Sequence, residues 1–176
     1  MKVIFLDFDG VINNWEHFEG VDYNNVKFLL QIIDMTGAKV VATSSKKYSF
    51  QRADGIDYDE SSFCEYVNIL RSYGIEIVDI TPYINERREL EISEYLKLHS
   101  EIEHFLILDD DSVIESLKEH QVFLDLYKGI CEEHVNPSVN ILNGKLGFYP
   151  PIFDFNETLE ERNTRMNEYY AKKRQF

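Results

Sequence analysis

Lys2-Val3-Ile4-Phe5-Leu6-Asp7-Phe8-Asp9-Gly10-Val11-Ile12 decides the fold of this chain. Val3 to Leu6 is a short unbroken apolar run, the pattern of a strand buried on both faces. It stops abruptly at two carboxylates and a glycine. Strand alternation points Asp7 and Asp9 to one side and Phe8 to the other. Gly10 permits a tight exit from the sheet. Two like charges this close are costly unless a cation lies between them or one keeps its proton.

Working outward, the same punctuation recurs. Asn13 to Gly20 reads as a polar and aromatic loop. Val26, Leu29, Leu30 and Ile33 then repeat at one-face helical spacing, with Asn24 or Asn25 as N-cap and Gly37 as terminator. Ala38 to Ala42 is a second strand, ending in Thr43-Ser44-Ser45-Lys46-Lys47. This β-α-β order implies a parallel pair with a right-handed crossover. Tyr48 to Ser62 is a loop, and Phe63, Tyr66, Val67 and Leu70 mark a second helix stopped at Gly74. Ile75 to Ile80 is a third strand, followed by a helix over about Glu86 to Leu98. His104 to Leu108 is a fourth strand and runs into Asp109-Asp110-Asp111. A short helix is expected at about Val113 to Glu119, then a fifth strand at Val122 to Leu124.

Five strands alternating with helices predict a doubly wound α/β, Rossmann-like parallel sheet with helices on both faces. A single domain spanning 1–176 is expected, with its core in about 1–128. Residues 129–151 read as a loop-rich stretch with a hairpin around Asn143-Gly144, and about 157–173 as a charged C-terminal helix packed on the body. Ligands of such sheets bind outside the carboxyl ends of the strands. Asp7/Asp9, Thr43/Ser44 and Asp109/Asp110 all fall there.

Composition narrows the classes. At 44% hydrophobic and 14% aromatic residues, the 176-residue chain has enough apolar material for a substantial core. No apolar stretch approaches the roughly 18 residues of a membrane span, and the N-terminus enters a strand without a leader pattern. Cys64 and Cys131 lack metal-ligand or redox-motif spacing and read as ordinary reduced thiols, which fits a cytoplasmic protein. His17, His99, His104, His120 and His134 are scattered and read as structural or surface residues. The net charge of −14 opposes broad attraction to nucleic acid. It leaves room for a local basic pocket, for which Lys46, Lys47 and Arg52 form one cluster and Arg87-Arg88 a second.

If the strand ends meet, their chemistry is that of phosphoryl transfer. Asp7 can serve as nucleophile, and Asp9 can protonate a leaving oxygen and later activate water. One or both of Asp109 and Asp110 complete a hard oxygen site, with Asp7 and Asp9, of the kind Mg2+ prefers. Thr43 or Ser44 would donate to phosphoryl oxygens, and a cation would offset the transferred charge.

At these residues the chain resembles the haloacid dehalogenase (HAD) superfamily of phosphatases, over about Lys2 to Asp125. Asp7-Phe8-Asp9-Gly10-Val11 is similar to its first motif, the strand ending in Thr43 to its second, and Asp109-Asp110 to its metal-holding fourth. Within the superfamily, Asp9 implies phosphatase rather than dehalogenase chemistry. Arg88-Glu89-Leu90-Glu91-Ile92 resembles an Arg-x-x-Glu-Ile segment of a small subgroup found with "Swiss army knife" RNA-repair proteins, which implies Arg88 rather than Arg87 as the third-motif cation. Gly37-Ala38-Lys39, Thr43-Ser44-Ser45 and Leu108-Asp109-Asp110-Asp111 resemble the same subgroup. One departure stands out: the subgroup usually has Trp-Arg where this chain has Lys46-Lys47, so a lysine such as Lys46 must replace the arginine as phosphate clamp.

The resemblance implies a capless or minimally capped, Mg2+-dependent phosphomonoesterase working through an aspartyl-phosphate. Its substrate would be a nucleic-acid end such as RNA, a nucleotide or another small phosphate ester. Two other classes are weighed against it. A signalling receiver domain is disfavoured, because the third strand ends in Ile80-Thr81-Pro82 rather than a phosphoacceptor aspartate. A non-catalytic binding protein that keeps the fold is the alternative, and the intact acids argue against it. Trp15 and Phe18, near the expected mouth, read as loop packing ahead of base stacking.

Overall fold

The computed structural model describes residues 1–14, 17, 20–48, 60–110, 114–147, 149 and 164. β1 (Lys2–Leu6), β2 (Lys39–Ala42), β3 (Ile77–Ile80), β4 (His104–Asp109) and β5 (Gln121–Phe123) form one sheet in the order β3-β2-β1-β4-β5. Every neighbouring pair is parallel. The helices are α1 (Tyr23–Thr36), α2 (Glu60–Ser72), α3 (Arg88–Leu98) and α4 (Glu132–Leu142). The expected Rossmann-like α/β architecture is therefore the observed one.

The alternation of the strands divides the core in two. Ile4 and Leu6, Val40 and Ala42, and Leu106 and Leu108 pack on one face with α1, α2 and α4, contributed by residues such as Leu29, Tyr66 and Ile141. Val3 and Phe5, Val41 and Ile107 pack on the other with Ile92 and Tyr95 of α3 and with Ile114. Both faces of the central strands are covered, which is why they read as continuous apolar runs rather than alternating ones.

The strand order places the site. Successive strands run outward from β1 through β2 to β3, and the chain then returns to add β4 on the opposite side of β1. β1 and β4 thus flank the point where the winding reverses, where doubly wound sheets leave a crevice at the carboxyl edge. Asp7 and Asp109 stand at that edge.

Local chemistry explains most helix boundaries. Asp22, rather than Asn24 or Asn25, caps α1, its side chain accepting from the Asn24 N–H at 2.8 Å. Asn25 is instead buried and donates to the carbonyls of Lys128 and Ile130. Gly37 ends α1 in the left-handed conformation at φ 66°, as its position implies.

Two expectations are corrected. Residues 130–151 are not merely loops with a hairpin at Asn143-Gly144: Glu132–Leu142 is helical, and Asn143 is its C-cap. Asn136-Pro137 reads locally as a break, yet Val135, Ser138, Ile141 and Leu142 are buried on one helical stripe, and that burial outweighs the lost N–H. Between β4 and β5, the described residues hold turns and a 3-10 turn at Lys118–His120 instead of a helix from about Val113 to Glu119. There Gln121 Oε1 accepts the Ile114 N–H at 2.9 Å, taking a donor a helix would orient along its axis. The expected C-terminal helix, Asp111, Trp15 and Phe18 lie outside the described residues, as does most of the expected loop from Tyr48 to Ser62.

Candidate active site at the carboxyl edge of the sheet

The hydrogen-bond ladder continues one residue past the strands. Asp7 N–H donates to the Leu108 carbonyl at 3.0 Å, Thr43 N–H to Leu6 at 2.9 Å and Thr81 N–H to Ala42 at 3.0 Å. Asp109, Asp7, Thr43 and Thr81 consequently form a row across β4, β1, β2 and β3, and parallel register turns aligned residues toward the same face.

Asp7 is buried, with 6% of its surface exposed. Its Oδ1 accepts the Phe8 N–H at 2.6 Å. Its Oδ2 accepts from Nη1 of Arg88 at 2.7 Å, and the same nitrogen donates to Asp109 Oδ2 at 2.6 Å. Burial pushes the Asp7 carboxyl up, but the Arg88 charge and hydrogen bond, the Phe8 N–H and the Ser44 hydroxyl outweigh it and hold Asp7 below its ordinary value. For Arg88, burial acts to lower the pKa, while Asp109 and Asp7 together raise it above the ordinary value. At neutral pH the site thus holds a carboxylate anion and a guanidinium cation.

Carboxylate oxygens of Asp7, Asp109 and Asp110 lie within 4.8 Å of one another. A cluster of hard anionic oxygens fits a small divalent cation such as Mg2+ better than a softer metal. Gly10 shapes the cradle: a side chain at that position would overlap the Asp110 carboxylate. The three carboxylates fit a bound Mg2+.

Asp9 is held by a separate set of partners. Its Oδ1 accepts from the Tyr66 hydroxyl and from Asn13 Nδ2, both at 3.2 Å, and Lys46 Nζ lies 3.3 Å from its Oδ2. Lys46 also sits 4.8 Å above the Tyr66 ring. Phe8, pointing the opposite way from Asp7, stacks on Tyr66 and Phe63 with centroids 5.3 and 5.5 Å away. That stack ties the loop after β1 to α2. Among the described residues, Asp9 is not part of the acidic cluster formed by Asp7, Asp109 and Asp110.

The two hydroxyls after β2 differ. Ser44, fully buried, hydrogen-bonds Asp7, and its Oγ accepts from the Lys46 N–H at 3.4 Å. Thr43 is also buried, and its Oγ1 has no hydrogen-bond partner among the described residues. A desolvated hydroxyl without a partner is unfavourable in a finished core, and one beside a buried nucleophile-type carboxylate suits an arriving phosphoryl oxygen.

Sequence reasoning gave no site role to Tyr66, Asn13 or Glu91, and it grouped Lys47 with Lys46 and Arg52 in a basic pocket, whereas Lys47 faces the interior. Lys47 is completely buried, donates to Glu91 Oε2 at 2.6 Å and bonds the Thr81 hydroxyl. Burial pulls its pKa down to about 8 against the raising effect of Glu91, with Arg88 lowering it further and Asp7 raising it. The available signal was the pair Lys46-Lys47 together with Arg88-x-x-Glu91. An i, i+3 pair lies on one helix face, so the helix that carries Arg88 to Asp7 also carries a carboxylate into the same interior.

A model of the family described as HAD domain in Swiss Army Knife RNA repair proteins matches residues 3–135. No curated protein and no solved structure gives a significant match. The matched span contains the whole sheet, the acidic cluster, Arg88 and both hydroxyls. By sequence and by fold, the chain belongs to the HAD domain family of Swiss Army Knife RNA repair proteins.

Proposed function

We propose that this protein is a Mg2+-dependent phosphomonoesterase in which Asp7 is the nucleophile and Asp9 the acid/base. The observation that carries the reading is the environment of Asp7. It is a buried carboxylate held anionic by Arg88 and grouped with Asp109 and Asp110, beside the unpartnered Thr43 hydroxyl.

In the first step Asp7 attacks phosphorus, the bond to the ester oxygen breaks, and Asp9 gives its proton to the departing alkoxide. In the second, Asp9 takes a proton from water, whose oxygen attacks the aspartyl-phosphate and releases inorganic phosphate and the free carboxylate. Thr43 and Ser44 offer hydroxyls to the phosphoryl oxygens, while Arg88 and Lys46 supply positive charge. A cation held by Asp7, Asp109 and Asp110 would screen the substrate's negative charge from the attacking carboxylate.

The family description supports a phosphorylated RNA end as substrate, with a nucleotide or small phosphate ester as the other class. The net charge of −14 favours recognition confined to the terminal phosphate and its neighbour over a long basic groove.

The test is phosphate release by wild type and Asp7→Asn, with and without Mg2+, from p-nitrophenyl phosphate and from 3′- and 5′-phosphorylated RNA oligonucleotides. Release that requires both Asp7 and Mg2+ is expected. No release from any of them by a folded wild-type protein that still binds Mg2+ would favour a non-catalytic binding protein, and equal release by wild type and Asp7→Asn would remove Asp7 as nucleophile.

A further inference from the structure

Arg88 is the first residue of α3, yet that end of the helix has no ordinary anchor. The N-cap position is Arg87, whose side chain makes no capping hydrogen bond. The two residues before it, Asn85 and Glu86, both adopt left-handed backbone at φ 51° and 59°, a conformation that side chains other than glycine resist. Left to local forces, this turn would fray and carry Arg88 with it.

Glu91 ties that turn to the sheet, while Glu89 beside it accepts from the Ser116 hydroxyl. One Glu91 oxygen accepts the Ile84 N–H at 3.2 Å, closing the strained loop onto the helix. The other accepts from Lys47 Nζ at 2.6 Å, with the Tyr48 hydroxyl at 3.5 Å. Lys47 comes from the 3-10 turn after β2 and also bonds Thr81 after β3. Two strand ends are thereby tied to the first turn of α3. Lys47 and Glu91 are wholly buried, so solvent does not weaken the link. Arg88 stands one turn before Glu91 on the same helix, where Nη1 reaches both Asp7 and Asp109.

We propose that Lys47 is a positioning residue: through its buried pair with Glu91 it fixes the first turn of α3 and so holds the Arg88 guanidinium on Asp7 and Asp109. It touches neither acid within ion-pair distance, and its hydrogen-bonded link to Arg88 runs through Glu91 and the helix. The interior cation after β2 faces a single carboxylate oxygen and a hydroxyl, a point-charge geometry that a lysine satisfies.

The inference rests on the phosphatase reading for its kinetic readout but not for its structural one. The variant Lys47→Met/Glu91→Gln removes both charges, keeps the volumes close and leaves an acceptor for the Ile84 N–H, which preserves folding where Lys47→Met alone would bury an unpaired carboxylate. Two measurements follow on the full chain, after thermal unfolding shows the variant folded. By NMR, the Arg88 guanidinium N–H resonances, assigned with Arg88→Lys, should be resolved in wild type and exchange-broadened in the variant. With p-nitrophenyl phosphate, kcat should fall about 10²-fold, the scale of an ångström-sized misplacement of a catalytic group, with KM changed less. In an Arg88→Ala background the same pair of substitutions should cost little more, whereas a purely structural role would cost the same in both.

A folded variant that keeps sharp Arg88 resonances would overturn the proposal, as would losses that simply multiply with Arg88→Ala. If wild type releases no phosphate at all, the phosphatase reading fails, and the Arg88 resonances still decide the positioning role.

Discussion

Gly10 lies directly beneath the carboxylate of Asp110. A β-carbon at position 10 would stand 2.2 Å from Asp110 Oδ2, and the backbone there is left-handed at φ +70°. The acidic cluster therefore depends on a residue that contributes no ligand. Its N–H also donates to Asn13 Oδ1 at 2.7 Å, and Asn13 in turn holds Asp9. Through Asn13, one glycine links Asp110 to Asp9. Gly10→Ala should cost about 1–2 kcal/mol in backbone strain and weaken Mg2+ binding by about 10–100-fold as Asp110 is displaced. Isothermal titration with Mg2+ and urea unfolding of the same variant measure both.

Thr43 carries a buried hydroxyl with no hydrogen-bond partner among the described residues. Thr43→Val keeps the shape and removes the desolvated group, so stability should hold or rise by about 1 kcal/mol. Phosphate or vanadate should bind about tenfold more weakly, the value of one lost hydrogen bond. A thermal melt and an inhibition series separate the two effects.

Tyr66 connects α2 to the loop after β1. Its hydroxyl oxygen accepts from the Gly20 N–H at 3.2 Å and from Asn13 Nδ2 at 3.1 Å, which leaves its proton for Asp9 Oδ1. Burial and the Asp9 charge raise the phenol well above its ordinary value, so that proton stays in place. Tyr66→Phe preserves the stack on Phe8 but removes one donor to Asp9 Oδ1, leaving that of Asn13. Stability should drop by about 1–3 kcal/mol and kcat by about tenfold with little change in KM, measured by urea unfolding and steady-state kinetics.

His134 governs acid stability away from the site. It is buried, its Nδ1 accepts the Cys131 N–H at 3.0 Å, and its Nε2 has no partner among the described residues. Burial pushes its pKa down to about 4, against small raising effects of Glu133 and Asp125 and with Lys128 lowering it further. The unfolded chain, near 6.5, binds a proton more readily than the folded one between these values. Stability from this group is complete above about pH 6.5 and is lost as pH falls toward 4, by about 3 kcal/mol. His134→Gln should flatten that part of the stability-against-pH curve in urea titrations at pH 4–7.

How much of this was legible beforehand follows from the range of the forces involved. Val3 to Leu6 and Phe105 to Leu108 read as strands because both faces of a central strand are buried, which forces unbroken apolar runs. Their acids follow at once in the chain, so Asp7 and Asp109 could be placed at one edge without coordinates. α4 was hidden because Asn136-Pro137 signals a break locally, while the burial that overrides it comes from α1, about a hundred positions earlier, and from β4 and β5. Asp22 displaced Asn25 as cap for a related reason: the Asn25 side chain is claimed by carbonyls near residue 130.

The sequence by itself determined the five strands, their parallel sheet and the family, since these rest on periodicity and on motifs contiguous in the chain. Only the tertiary structure decided that Arg88 bridges Asp7 and Asp109, that Lys46 faces Asp9, and that Lys47 is buried against Glu91. Two adjacent lysines with the same intrinsic chemistry take different partners, because the turn after β2 sends one toward the cleft and the other into the interior. Short-range propensity cannot encode that division. It is fixed by which carboxylate each ammonium meets once the sheet is assembled.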